Sequence, residues 1–391
     1  MRRTLSFTLL MMIAAIGPFS LGMVIAIQHD IGVSVNASLS QMQYILSSSF
    51  VVLGVCNLIT GRLLDRFGPW LVISISGTLL VMGLLWSAFS QTFESFVLAR
   101  VLQAGSGSCG FVLVRALVFE YFDNADGPRF LGYLTVITVA SPMFAPLIGS
   151  YVNSLYGWRI LFISVAVITL GLHTYAAVFL SVSIRFRSIL VDGGLQSYFL
   201  QFDRQLLLSA LSISFASAIF FSFVTLGPFS MMRVFGTGSE SFAQYYVFTS
   251  VGFILGGLIY SRMILRSHAL RISRAGVIFN LIGIMGVWGA VGYHSEYFFV
   301  FSLMLLNFGN GFLVPAMSAY ILSNPSRTPA LVSGLLGFVQ MIIGGMFSAI
   351  AGYLNSSSLV PLVTLMSICV VLAFISLIAV SRLHEAKVER F

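Results

Sequence analysis

The stretch GRLLDRFGP, residues 61–69, sets three charged residues and two glycines into nine positions of a chain in which only 8% of residues are charged. The runs on either side are almost wholly apolar and about twenty residues long, the length that carries a helix across a bilayer. Backbone groups in lipid must pair within their own segment. A polar knot between two such runs therefore reads as a turn at a membrane surface.

The rest of the chain agrees. Of 391 residues, 58% are hydrophobic, and the mean hydropathy is +1.00. Soluble domains are roughly 45–50% apolar, and so few charges cannot cover a water-exposed surface of this size. Long unbroken apolar runs indicate helices and not barrel strands. Segments of spanning length fall at 6–27, 42–60, 71–90, 94–119, 130–153, 158–182, 204–231, 241–262, 272–293, 295–322, 329–354 and 359–381. The first runs too long for a signal peptide and lacks a small-residue cleavage site, so it is read as a span. The expected class is an all-α membrane protein of twelve helices with short loops.

Charge sets the orientation. With the N-terminus in the cytoplasm, the inner loops and ends hold sixteen of the twenty cations, from Arg2 and Arg3 to Lys387 and Arg390. The outer side holds Arg159 and Arg233, while Arg100 and Arg115 fall inside the fourth segment. The positive-inside rule then places both termini in the cytoplasm of a bacterial-type inner membrane. The net charge of +8 reports topology and contact with anionic lipid, and no nucleic acid is expected as a partner. Cys56, Cys109 and Cys369 lie in apolar segments without metal-ligand spacing and read as inert thiols.

Residues 183–203 form the longest inner connection, with six segments on each side. Gly61 and Arg66 return as Gly257 and Arg262, and Gly149 returns as Gly345, each 196 positions on. The expected domains are a six-helix bundle over 1–182, a cytoplasmic linker over 183–203 and a second bundle over 204–391. Two halves in parallel repeat suggest a transporter whose site lies near the bilayer midplane. Within the knot, Gly61 permits close helix approach. Asp65 is placed to accept hydrogen bonds from a neighbouring helix N-terminus or to pair with an arginine. The plain alternative is an ordinary inner loop with one acid.

Here the chain resembles the major facilitator superfamily. GRLLDRFGPWLVI is similar to its signature loop, with Gly61, Leu63, Asp65, Arg66 and Gly68 matching and Pro69-Trp70 replacing a basic pair. The resemblance implies a gating role for Asp65, opposite the inner end of segment four, where Glu120 stands for a common acid. RVLQAGSGSCGFVLVRALVFE resembles segment four of the Bcr/CflA group of drug exporters through Arg100, Gln103, Arg115 and Ala116. GYLTVITVASPMFAPLIGSY resembles the antiporter motif of segment five through Gly132, Pro146 and Gly149, with Pro142 beside them. The family lines its central cavity with segments one, four, seven and ten. That implies Phe19, Met23, Arg100, Gln103, Phe220, Phe223, Asn307 and Asn310 as cavity candidates, though such residues also serve as plain core. A monomer is the family expectation.

Ionisable groups inside a membrane are functional candidates by default. Arg100 reads as a cavity charge, against a structural cation bound to helix carbonyls. Arg115 stands nearer the inner end, where it can snorkel. His173 can titrate near neutrality, yet more often such a residue is packing. All twelve acids fall in loops or near segment ends, and Gly22 stands where Bcr/CflA members carry an aspartate. Asp30, Arg115 and His173 remain the candidates for proton coupling.

These readings point to a secondary transporter and not an enzyme, with no cofactor and with proton coupling as a family expectation. The expected cargo is a small neutral or anionic amphiphile, metabolite or drug moved outward by alternating access. An importer or uncoupled facilitator is the alternative, and a membrane receptor that moves nothing is the second.

Overall fold

A computed structural model describes residues 2–25, 27–121, 126–183, 203–236, 239–324, 327–354 and 357–388. The expected linker lies almost wholly outside the described residues. Among those described, every regular element is a helix: α1 (Arg2–Gly22), α2 (Gln28–Ser34), α3 (Leu39–Phe89), α4 (Phe93–Tyr121), α5 (Gly127–Tyr156), α6 (Trp158–Ser183), α7 (Arg204–Phe235), α8 (Ser239–Met263), α9 (Ala269–Gly292), α10 (Glu296–Leu322), α11 (Pro329–Tyr353) and α12 (Val360–Val388).

Ten stretches are long and apolar enough to cross a membrane, and Thr8–Gly22 is a shorter apolar helix. One of the ten, Ser48–Phe89, has 42 residues. At about 1.5 Å per residue it would reach about 63 Å, twice a hydrocarbon core of about 30 Å. It is two spans joined at a break. Gly68 sits at φ 76°, ψ 169° inside α3, a left-handed conformation that glycine enters without steric cost. Counted so, all twelve expected spans have their helices.

Two expectations need correction. The knot is not an open loop: helical geometry runs through it and fails at Gly68 alone. The first segment does not extend to residue 27. Its helix stops at Gly22, and i→i+3 bonds from Ile25 to Gly22 and from Ile27 to Val24, both 3.1 Å, turn the chain into the short α2.

The helices gather into two contact-dense units. Unit 1 holds Met1–Leu117, Ile137–Asp192 and Thr328–Phe338. Its core includes Met23, Ile27, Leu84 and Ala145 around Phe96, Trp158 and Phe162, whose rings meet edge to face at 5.9–6.2 Å. A capping box starts α3, where Ser38 and Gln41 each accept the other's backbone N–H. Gly157, at φ 83°, makes the tight joint between α5 and α6.

Unit 2 holds Val118–Val136, Gly193–Arg327 and Val339–Phe391. Its core runs through Ile219, Phe223, Leu303 and Met366. Asp203 caps the start of α7 through Leu206 N at 2.8 Å, and Gly236 ends it in the left-handed conformation. Helices α9 and α10 touch almost backbone to backbone. A Cβ at Gly283 would stand 2.7 Å from Leu306 N, and one at Gly276 would stand 2.7 Å from Gly309 O. Small residues allow such approach where no hydrophobic drive exists between helices in lipid.

The faint 196-residue echo has a structural counterpart. In unit 1, Cys56 and Thr60 of α3 face Gly105 and Ser108 of α4. Their counterparts Gly252 and Gly256 of α8 face Met304 and Phe308 of α10 in unit 2.

Candidate functional site

Arg100 is the largest wholly buried side chain in the described protein, 1% exposed on the inner face of α4. Its Nη1 donates to Gln103 Oε1 at 2.6 Å, one helical turn on, and to Ser20 O of α1 at 3.2 Å. Its Nε and Nη2, and Gln103 Nε2, have no partner. Among the described residues no carboxylate pairs with the guanidinium, and these three donor atoms are buried without partners. Ser20, which sequence reasoning overlooked, gives its carbonyl to this cation. A serine following Gly17 and Pro18 was the only available hint.

Arg115 is also buried and covers the Phe111 ring at 4.0 Å, a cation–π contact that offsets part of its desolvation. His173 packs over Gly77, and its Nδ1 lies 3.0 Å from Thr169 O on its own helix. That is the arrangement of a packing histidine. Asp30 lies exposed at the start of α2 and accepts from Asn153 Nδ2 at 2.5 Å.

The α1–α5 contact explains the missing acid. A Cβ at Gly22 would stand 3.0 Å from Pro142 Cα and 3.2 Å from Ala145 Cβ, so a carboxylate there would push the two helices slightly apart. Ser141 Oγ donates to Ala15 O at 2.6 Å. Gly149 closes the seam, its Cβ position 2.8 Å from Met23 O. Pro142 and Gly149 of the antiporter-like segment thus belong to an α5 face fitted to residues 15–23, while Pro146 lies inside the same helix. Gly132 packs elsewhere, on Tyr260 and Ser261 of α8.

The gating motif is set in a second tight seam. A Cβ at Gly61 would stand 2.8 Å from Ala330 O, and one at Gly334 would stand 2.7 Å from Asn57 O. Asp65 Oδ2 accepts from Thr328 Oγ1 at 3.5 Å. Thr328 immediately precedes Pro329, the first residue of α11, so the carboxylate stands at a helix N-terminus, where the dipole favours negative charge. Arg66 is exposed beside Phe67, 5.3 Å from its ring. The Glu120 side chain lies outside the described residues. Asn57 is wholly buried with both amide atoms unpartnered, under Gly337. In unit 2, Gly257 and Val136 meet just as closely, a Cβ at Gly257 falling 2.6 Å from Val136 Cγ2.

In unit 2 the amides chosen from sequence are occupied with packing. Asn310 accepts from Asn280 at 2.9 Å and donates to Ala216 O at 3.2 Å, tying α9, α10 and α7 together. Asn307 bonds its own helix at Leu303 O, 3.1 Å. Phe223 is core, like Met23 of unit 1. Phe19 packs against that unit 1 core from a half-buried position, and Phe220 meets Phe221 edge to face and Tyr246 at a tilt. Sequence reasoning missed a ladder between α7 and α11: Ser217 with Gln340 at 2.8 Å, Phe221 over Gly344, and Thr225 with Ser348 at 2.7 Å. Its rungs recur every four residues on both helices, a period that was visible in the chain.

At one end of unit 2, Arg327 pairs with Asp203 at 2.6 Å, and Gln205, Tyr320 and His384 continue the network. His268 caps α9, its Nδ1 accepting from Leu270 N at 3.3 Å. Burial, with His384 and Arg271 nearby, holds its imidazole below the usual histidine range.

The family model for the Major Facilitator Superfamily matches residues 5–349. The chain belongs to the major facilitator superfamily. It is a multi-pass membrane transporter by family, not an enzyme. A Bacillus subtilis protein called Uncharacterized MFS-type transporter YdgK is 25% identical, covering 97% of this chain and 96% of its own. Multidrug resistance protein MdtL of Shewanella oneidensis is 23% identical over 92% and 91%. A Bicyclomycin resistance protein homolog of Haemophilus influenzae is 20% identical over 92% of each. The last two bear out the likeness to the Bcr/CflA branch. Among solved structures, the proton:xylose symporter XylE aligns with TM-score 0.78 and 12% identity, over 96% of this chain and 95% of that one. The human organic anion transporter MFSD10 aligns at 0.69 and 14%, over 96% and 98%. Both show the fold alone.

Proposed function

We propose that this transporter exports a small neutral or anionic amphiphile across the inner membrane by alternating access of two six-helix halves, with both termini cytoplasmic. The observation that carries the cargo class is Arg100. A guanidinium in a low-dielectric interior repels a cationic cargo strongly when no acid neutralises it. Its free donors, with that of Gln103, suit carbonyl, hydroxyl or carboxylate oxygens. Export draws support from the relatives named as multidrug and bicyclomycin resistance proteins. The glycine seams at Gly61 and Gly257 support the gate, since contacts made through small residues separate without leaving side chains interlocked.

Proton coupling at position 22 is not part of the proposal, because Gly22 offers no titratable group. The test is flux in proteoliposomes. An anionic amphiphilic dye and ethidium are compared with and without an imposed pH gradient. Faster flux of the anion than of ethidium is expected. Ethidium transport as fast as the anion's contradicts the cargo assignment, and no flux of either favours the receptor reading.

A further inference from the structure

The chain carries a second candidate site, within unit 2. Helices α9 and α12 leave a groove of about 350 Å³ between them. Its apolar wall includes Val277 and Ile278 from α9 and Phe374, Leu377 and Ile378 from α12. These lie inside two apolar stretches of spanning length, Ala269–Gly292 and Val360–Ala386. Ile278 is 57% exposed and Phe374 38%, the exposure expected of side chains that meet acyl chains in a spanning helix.

The groove's mouth is polar and holds Arg274, Ser381, Arg382 and Glu385. Arg274 pairs with Glu385 at 2.9 Å, both exposed, a bond of small net value. Arg382 has no ion-pair or hydrogen-bond partner among the described residues. Ser381, 6% exposed, lines the groove with an unpartnered hydroxyl. A buried hydroxyl left without a partner is unfavourable, and a ligand oxygen would relieve that. Two arginines against one glutamate leave the mouth a single positive charge.

We propose that this groove binds an anionic phospholipid of the cytoplasmic leaflet. The phosphate lies on Arg382 and Arg274 and accepts from Ser381, and one acyl chain follows the apolar wall. The mouth's single positive charge matches the single negative charge of phosphatidylglycerol. The inner-leaflet assignment follows the cation asymmetry, since this end of α12 carries Arg382 and Lys387. Basic pockets between helices on that side are where anionic headgroups settle. The proposal stands whether or not the protein exports its cargo.

The test uses the full chain in mild detergent, with bound lipid counted by native mass spectrometry. Phosphatidylglycerol, phosphatidylethanolamine and phosphatidylcholine of equal chain length are offered separately, and inorganic phosphate is added in a fourth arm. Retention of phosphatidylglycerol above the other two is expected. Arg382→Gln should lower it roughly fivefold, the factor one surface arginine carries. Ser381→Ala should lower it as well, while Arg233→Gln should not. Equal retention of the three lipids overturns the proposal. So does an Arg382→Gln protein that retains as much as the wild type, or one no different from Arg233→Gln. Displacement of the lipid by millimolar phosphate would make the site one for free anions and overturn the assignment to lipid.

Discussion

Burying a guanidinium among helices costs several kcal/mol on most scales, and Arg100 recovers only part of that through Gln103 and Ser20. A residue kept at such expense without a carboxylate serves something other than stability. Arg100→Gln should therefore leave the melting temperature unchanged or slightly higher while anion flux falls at least about tenfold, ~1.4 kcal/mol of barrier. Thermal melts in detergent beside flux assays check this, and a sharp fall in melting temperature would mark Arg100 as structural. Gly22→Asp is the converse case. Its side chain would meet Pro142 and Ala145, so overpacking of about 1–3 kcal/mol is expected. The melting temperature should fall and no new proton coupling should appear. At this scale the sequence showed which residues were unusual, because a charge or amide in an apolar run stands out. It did not show how each is used. Asn310 reads in the chain as a cavity amide or as an interhelical tie, and only the structure shows its bonds to Asn280 and Ala216, partners 30 and 94 residues away.

Among the elements, the seams at Gly61 and Gly257 leave no room for a side chain. Gly61→Val should cost about 1–3 kcal/mol by overpacking, and Gly257→Val the same. Gly171→Ala, with nothing within 4 Å, should be neutral or stabilising, and melting temperatures of the three variants check the contrast. The α9 cap adds a pH dependence. An unfolded histidine takes its proton near pH 6.5, whereas folded His268 takes it lower and accepts from Leu270 only while neutral. Stability is therefore lost as pH falls through about 6.5. Wild type should lose more melting temperature between pH 7.5 and 5.5 than His268→Ser, whose hydroxyl caps without titrating. Equal losses would remove the cap from the account. The spans themselves were legible from apolar run length, which fixes helices in lipid. The ends were less so. The close of α1 at Gly22 and the one-residue break at Gly68 depend on local turns and a single positive φ, features that hydropathy does not encode.

For the whole molecule, topology and cargo are the two claims at stake. The proposed topology has Arg233 outside and Arg266 inside, so single cysteines at those positions should react with an impermeant reagent from opposite sides of intact vesicles. The likeness to the major facilitator superfamily was readable because its loop and segment-four motifs are local in sequence. Arg100 was readable as a candidate cavity charge from its place in an apolar segment, whereas its partners Gln103 and Ser20 became visible only in space. The most direct measurement of the central claim is therefore the ratio of anionic dye to ethidium flux in proteoliposomes of wild type and Arg100→Gln. A ratio well above one that collapses toward one in the variant is predicted. A wild-type ratio at or below one, or a ratio untouched by the substitution, contradicts it.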